Sequence, residues 1–293
     1  MKLNYYPSFR FAPAAKDDMQ VRFACSPQEA KSYDTAQLRD NFLVGAPTAG
    51  NLQLVYTHFD RVIIGSLSAT SKAVTLPNPD ELKAEFFLER REIGIINTGG
   101  KGVVTADGVK YELDKLDCLY LGKGTKNVSF VAADKKTPAF FYMLSAPAHH
   151  AYPNKKMSKA KATIVNLGDP STSNERTIYK YIHNDGIKSC QLVMGLTLLK
   201  PGSVWNSVPP HTHTRRMEVY YYFDVPEGQR VFHFMGQPQE TRHLVMANNE
   251  AVISAPWSMH FGCGTSNYGF IWGMAGENKE FTDMDVKPVP TLH

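Results

Sequence analysis

From Leu52 onward the apolar positions gather into short runs broken by Gly, Asp and Asn. Residues 52–67, 85–99, 101–113, 117–124 and 127–133 are such runs, rich in Val, Ile, Phe and Tyr. β-branched and aromatic residues grouped this way predict strands. Ala106-Asp107-Gly108 predicts a tight hairpin turn between two of them. The second half repeats the texture at 176–183, 190–199, 203–208, 218–225, 229–236, 240–246, 250–255 and 268–275. Before Leu52 the pattern differs. Ser26 and Asp34 are N-cap candidates and Pro27 suits a first helical turn, so residues 26–43 predict one or two short helices. No long amphipathic helical pattern follows. The chain is therefore predicted to be all-β, built as sandwiches or barrels rather than on a parallel α/β sheet.

The 293 residues suffice for one large domain or two ordinary ones. Residues 146–162 combine proline with lysine and predict an exposed linker. The expected organisation is an irregular extension over 1–25, a first β domain over 26–160 and a second over 161–293. Within the extension, Pro7 and Pro13 interrupt the aromatics Tyr5, Tyr6, Phe9 and Phe11 and preclude a long helix.

Charge and cysteine content narrow the function classes. A net charge of +4 is too small to argue for nucleic acid. Cys25, Cys118, Cys190 and Cys263 are far apart, form no CxxC pair and read as reduced thiols. No apolar run reaches the roughly 18 residues of a membrane span, and the N-terminus lacks the apolar centre of a secretory signal. These features predict a cytoplasmic protein with neither a nucleic-acid nor a membrane partner.

The candidate chemistry lies in 209–218. His211 and His213 are two residues apart, and on an extended strand such positions share a face. Glu218 has the wrong parity for that face, so Thr214-Arg215-Arg216 must bend, with Glu218 opening the next strand. His260 follows two further strands. Three imidazoles and one carboxylate suit zinc, iron or manganese. A His-x-His pair alone is usually two ordinary surface histidines; the nearby glutamate and later histidine change the balance.

The spacing His-x-His-x4-Glu followed some forty residues on by His resembles the metal pattern of the cupins. The first half resembles a cupin that has lost its ligands. With Glu92 in the glutamate place, the histidine places hold Glu85, Phe87 and Asn127, and 122–127 occupies the cupin turn. The blocks 87–100, 119–124, 209–226, 232–246, 248–260 and 269–278 together resemble the 4-deoxy-L-threo-5-hexosulose-uronate ketol-isomerases, the 5-keto-4-deoxyuronate isomerases of pectin breakdown. The resemblance runs from about Ser26 to the C-terminus. It implies a bicupin, usually a homohexamer, with one Zn2+ per chain held by His211, His213, Glu218 and His260. It further implies an aldose-ketose isomerisation of a small ketouronate.

Strand parity puts Tyr220 and Tyr222 on the face of Glu218 and makes them substrate-binding candidates. Glu240 and Arg242 share a face one strand away. They are the preferred base and carboxylate anchor, against the plainer reading of an exposed ion pair. Arg216, beside the metal loop, is the second anchor candidate, with Arg215, Arg176 and Lys123 behind it. The rival readings are an iron or manganese dioxygenase on the same ligands and a non-catalytic sugar-acid-binding bicupin.

Overall fold

The computed structural model describes residues 19–293. The aromatics and prolines of 1–18 lie outside the described residues. Gln20–Arg22, assigned by the sequence to an irregular extension, is a strand that pairs parallel with Leu52–Thr57. Two short helices follow, Pro27–Ala30 and Thr35–Phe42. Ser26 with Glu29 and Asp34 with Gln37 form capping boxes that satisfy the first-turn N–H groups. Leu38 and Phe42, one turn apart, are buried.

The remainder is β-structure in two pairs of sheets, as expected for an all-β chain. The first pair joins a seven-stranded and a four-stranded sheet. At the centre of the larger are Ile63–Ala69, Ala139–Pro147 and Arg91–Asn97. The second pair has the same make-up, with Val193–Leu199, Gly269–Gly276 and Arg216–Phe223 in the matching places. The hairpin at Asp107-Gly108 forms as predicted, with both residues at positive φ. The run 85–99 is only partly a strand: residues 85–90 are turn, and Arg90 donates to the carbonyls of Leu82 and Lys83.

The two large sheets lie back to back. Strand alternation makes this possible, since one set of side chains fills the space inside its own sheet pair and the other set faces the neighbouring pair. In Arg216–Phe223, Met217, Val219 and Tyr221 join a core that also holds Ile96, Tyr142 and Leu144 of the first pair. Tyr142 and Tyr221 stack at 4.7 Å across it. Gly94 permits the close approach, because a Cβ there would stand 2.6 Å from Met194 Sδ and 2.8 Å from Ile182 Cδ1. Leu43–Val44, from the first half of the chain, pairs with Ala251–Ser254 and completes the second large sheet.

Register corrects one reading. Glu218 lies opposite Met274, while in the matching strands Ile93 lies opposite Ser145. The place corresponding to Glu218 is therefore held by Ile93, inside the first apolar core, and not by Glu92. The side chain of Glu92 faces the second half, fully buried. Its carboxylate accepts from the Tyr120 hydroxyl at 2.7 Å and from the backbone N–H groups of Cys190, Gln191 and Leu192 at 2.7, 2.8 and 3.0 Å. Of the proposed histidine places, Glu85 and Asn127 are exposed and Phe87 is buried among apolar side chains.

Three of the four hydrogen bonds to Glu92 cross about a hundred residues of chain. Glu92→Ala leaves three N–H groups and a hydroxyl without an acceptor, at a cost of about 1–3 kcal/mol for each donor that water does not reach. Denaturant unfolding should show Glu92→Ala destabilised by at least ~3 kcal/mol. A midpoint equal to wild type would refute the clamp.

Candidate metal centre

His211 begins a two-residue strand, His211–Thr212, paired with Asp285–Val286 near the C-terminus. The chain then turns at Thr214-Arg215, with Arg216 N–H donating to the His213 carbonyl. The expected bend is thus present, and the following strand starts at Arg216, two residues earlier than expected. His260 enters from the turn before Phe261–Gly264. The ligand atoms of His211, His213, Glu218 and His260 lie within 4.8 Å of one another. His213, Glu218 and His260 are buried and His211 is half-buried at the mouth.

The hydrogen bonds test whether a cation fits. His213 Nδ1 lies 3.2 Å from the Arg216 carbonyl, and His260 Nδ1 lies 3.3 Å from the Ser258 carbonyl. A carbonyl only accepts, so each Nδ1 carries a hydrogen, and in the neutral ring each Nε2 presents a lone pair. Those Nε2 atoms stand 2.9 and 2.7 Å from Glu218 Oε2, and His260 Nε2 is 3.2 Å from His211 Nε2. Lone pairs and a carboxylate crowded this closely repel one another unless a proton or a metal cation lies among them, and a divalent ion meets all four groups at once. Backbone carbonyls that fix the ring tautomer are also the usual support of metal-bound imidazoles. Burial, together with the neighbouring His260, lowers His211 to about 3, so the ring is neutral at physiological pH. Burial alone would raise the Glu218 carboxyl, but the facing His260 and His213 hold it well below the ordinary range. A neutral His211 and an ionised Glu218 are the forms that a divalent ion binds.

A cavity of about 380 Å³ opens above His211 and Glu218. Tyr220 lines it, with its hydroxyl 2.7 Å from Ser207 Oγ. Tyr222 shares the inward face but lies deeper, its hydroxyl 2.7 Å from His233 Nδ1. Arg216 is buried and committed elsewhere: Nη2 meets Asp283 Oδ1 at 2.8 Å, and the guanidinium lies 6.0 Å from the Phe281 ring. Arg215 pairs with Glu277 on the surface.

Glu240 and Arg242 lie outside this cavity. They line a separate niche with Pro27, Leu38 and Trp257, where Arg242 donates to the Lys31 and Tyr33 carbonyls and so ties the helical segment to the edge strand Glu240–Met246. The cations that do line the cavity are Arg176 and Lys180, both from Arg176–Ile182. Arg176 was a distant candidate in the sequence, and Lys180 none. Their alternation along one strand, 176, 178, 180, was the available signal. Phe281, Met284 and Val286 close one wall. They come from a C-terminal segment without clear strand periodicity, so nothing local marked them.

The profile of the KduI/IolB family matches residues 42–289. The chain is 56% identical over 268 residues to a protein of Halalkalibacterium halodurans named 4-deoxy-L-threo-5-hexosulose-uronate ketol-isomerase, covering 91% of this chain and 97% of that one. It is 55% identical over 274 residues to a protein of the same name from Formosa agariphila, covering 93% and 98%. Among solved structures, an IolB-like protein of Salmonella typhimurium superposes with a TM-score of 0.69 at 17% identity, covering 84% of this chain and 97% of that one, a likeness of fold alone. No helix among the described residues is long and apolar enough to cross a membrane. The chain belongs to the KduI/IolB family and, within it, to the ketol-isomerases.

Proposed function

We propose that the chain is a zinc-dependent isomerase of uronate breakdown that converts 5-dehydro-4-deoxy-D-glucuronate to 3-deoxy-D-glycero-2,5-hexodiulosonate. We read its two sheet pairs as two cupin domains, 26–160 and 161–293, of which the second holds the metal. The observation that carries the proposal is the convergence of three imidazoles and Glu218 at the floor of a cavity whose upper wall holds Arg176 and Lys180. The substrate has a matching polarity, with vicinal oxygens at one end and a carboxylate at the other.

When bound, zinc would supply Lewis-acid stabilisation of the negative charge that develops on the substrate oxygens, without redox change. His211, His213, Glu218 and His260 would hold it. Arg176 has one Nη on the Asn174 carbonyl at 2.8 Å, which steadies the guanidinium while the rest of its fork faces the cavity. It would bind the substrate carboxylate, with Lys180 adding charge. Burial keeps the Tyr220 phenol protonated far above neutral pH, so it can donate to a substrate oxygen beside the metal. Phe270, Trp272 and Met274 exclude water around the reacting carbons. Glu240 has no part in this reading.

A homo-oligomer, hexameric by resemblance, belongs to the same proposal. The outward face of the second four-stranded sheet supports it: Phe234 stacks on Phe261 at 4.7 Å, and Phe232 and Val245 beside them are exposed.

Conversion of the ketouronate from unsaturated oligogalacturonide digests, assayed on the full chain, tests the activity; no turnover with zinc restored would refute it. Replacing His211, His213 or His260 by Ala should reduce metal from close to one equivalent per chain to a small fraction, read by elemental analysis. Metal content near wild type in all three variants would overturn the site, and iron or manganese in place of zinc would overturn the cofactor. Arg176→Ala should lower kcat/KM about 10²-fold through lost positioning, with metal content unchanged. An unchanged kcat/KM would remove Arg176 as the anchor.

A further inference from the structure

The first sheet pair has its own cavity, of about 240 Å³, far along the chain from any metal ligand. It is lined by Arg61, Arg90 and Arg91 together with Leu82, Phe87 and Pro147. Arg91 is only 7% exposed. Its Nε donates to Ser145 Oγ at 3.1 Å, and its Nη2 to the carbonyls of Arg61 and Ser145 at 2.7 and 2.9 Å. All three acceptors are uncharged. Nη1 has no acceptor among the described residues and borders the cavity. Burial lowers Arg91 to about 10, which leaves it cationic at neutral pH.

The matching guanidinium of the second half sets a standard for comparison. Arg216 opens its strand as Arg91 opens the corresponding one, two residues ahead of Glu218 and Ile93 respectively. Both are buried. Arg216 meets the Asp283 carboxylate at 2.8 Å. Arg91 meets no carboxylate among the described residues; of the other two arginines, Arg90 lies 3.7 Å from Glu89, and Arg61 acts on the neighbouring Asp60 carboxylate, which accepts from Met217 N–H. A buried cation without a counter-charge is costly, and here two further guanidiniums share the same concave surface.

We propose that this cavity binds a small organic carboxylate, held by Nη1 of Arg91 and by the Arg61 guanidinium, with its apolar tail against Leu82, Phe87 and Pro147. Guanidinium N–H groups from two arginines, both cationic, suit a carboxylate. The apolar walls favour a short aliphatic acid over a polyhydroxylated one, and the volume lies below that of drug-sized sites. The inference does not depend on the isomerase reading.

Isothermal titration of the full-length, metal-loaded chain with butyrate, and separately with inorganic phosphate, tests it. Butyrate should bind with one site that Arg61→Ala weakens at least 10-fold, while Arg176→Ala, in the other cavity, leaves it unchanged. Because Arg91 is buried, Arg91→Lys serves as its variant; it keeps a charge but has no group in the place of Nη1 and should also weaken binding, with thermal unfolding confirming an intact fold. Arginine-dependent binding of phosphate rather than butyrate would overturn the carboxylate assignment. Absence of butyrate binding, or binding lost only in Arg176→Ala, would overturn the site, as when an acidic side chain of this chain or of a second copy already fills the cavity.

Discussion

The two-faced strand Arg216–Phe223 is the constraint on which the structure turns. Its alternate residues Met217, Val219 and Tyr221 bind the two large sheets together, and Glu218, Tyr220 and Tyr222 point into the second sheet pair. A metal ligand on such a strand is held by the core of the whole molecule, since it cannot move without disturbing packing across the interface. The Asp60 carboxylate adds a tether from the first half by accepting from Met217 N–H at 2.8 Å, one residue from Glu218. The first half thus helps to position Glu218, while all four residues of the candidate metal cluster among the described residues come from the second half.

Three of the buried charges follow one rule. Glu218 faces imidazoles, Arg216 faces Asp283, and Glu92 takes three backbone N–H groups and a phenol. Each has a partner that removes the cost of leaving water. Two of these three arrangements also tie together distant segments of chain, so the polar interior acts as a set of register pins between elements that apolar contacts alone would allow to slide. Arg91 departs from the rule, which is why its cavity stands out.

The cavity beside the ligand cluster is assembled from pieces with no local relation to one another. The loop at 207–211, the strand Arg176–Ile182, the strand Gly269–Gly276 and the C-terminal segment meet only because the sheet order brings them to one mouth. The short pairing of His211–Thr212 with Asp285–Val286 draws that last segment over the metal loop. One ladder therefore both orients His211 and builds the wall facing it.

The ligand set was legible because its logic is local. His211, His213 and Glu218 fall within eight residues, and the period-two geometry of strands says that the chain must bend between His213 and Glu218, as it does at Thr214-Arg215. Capping boxes at Ser26 and Asp34 and the Asp107-Gly108 turn are likewise written in adjacent residues. Parity, however, says only that Glu240 and Arg242 share a face, not which face meets the cavity; the helical segment at 26–42, distant in sequence, claimed it. A slip of one residue likewise separated Glu92 from Ile93, because inward and outward positions exchange with every step along a strand and only the facing ladders fix the count. The sequence by itself determined which residues form strands and which can ligate a metal, since both follow from neighbours a few positions apart. The tertiary structure alone decided which cations line the cavity beside the ligand cluster and which only hold the fold, because that depends on pairings made across a hundred residues.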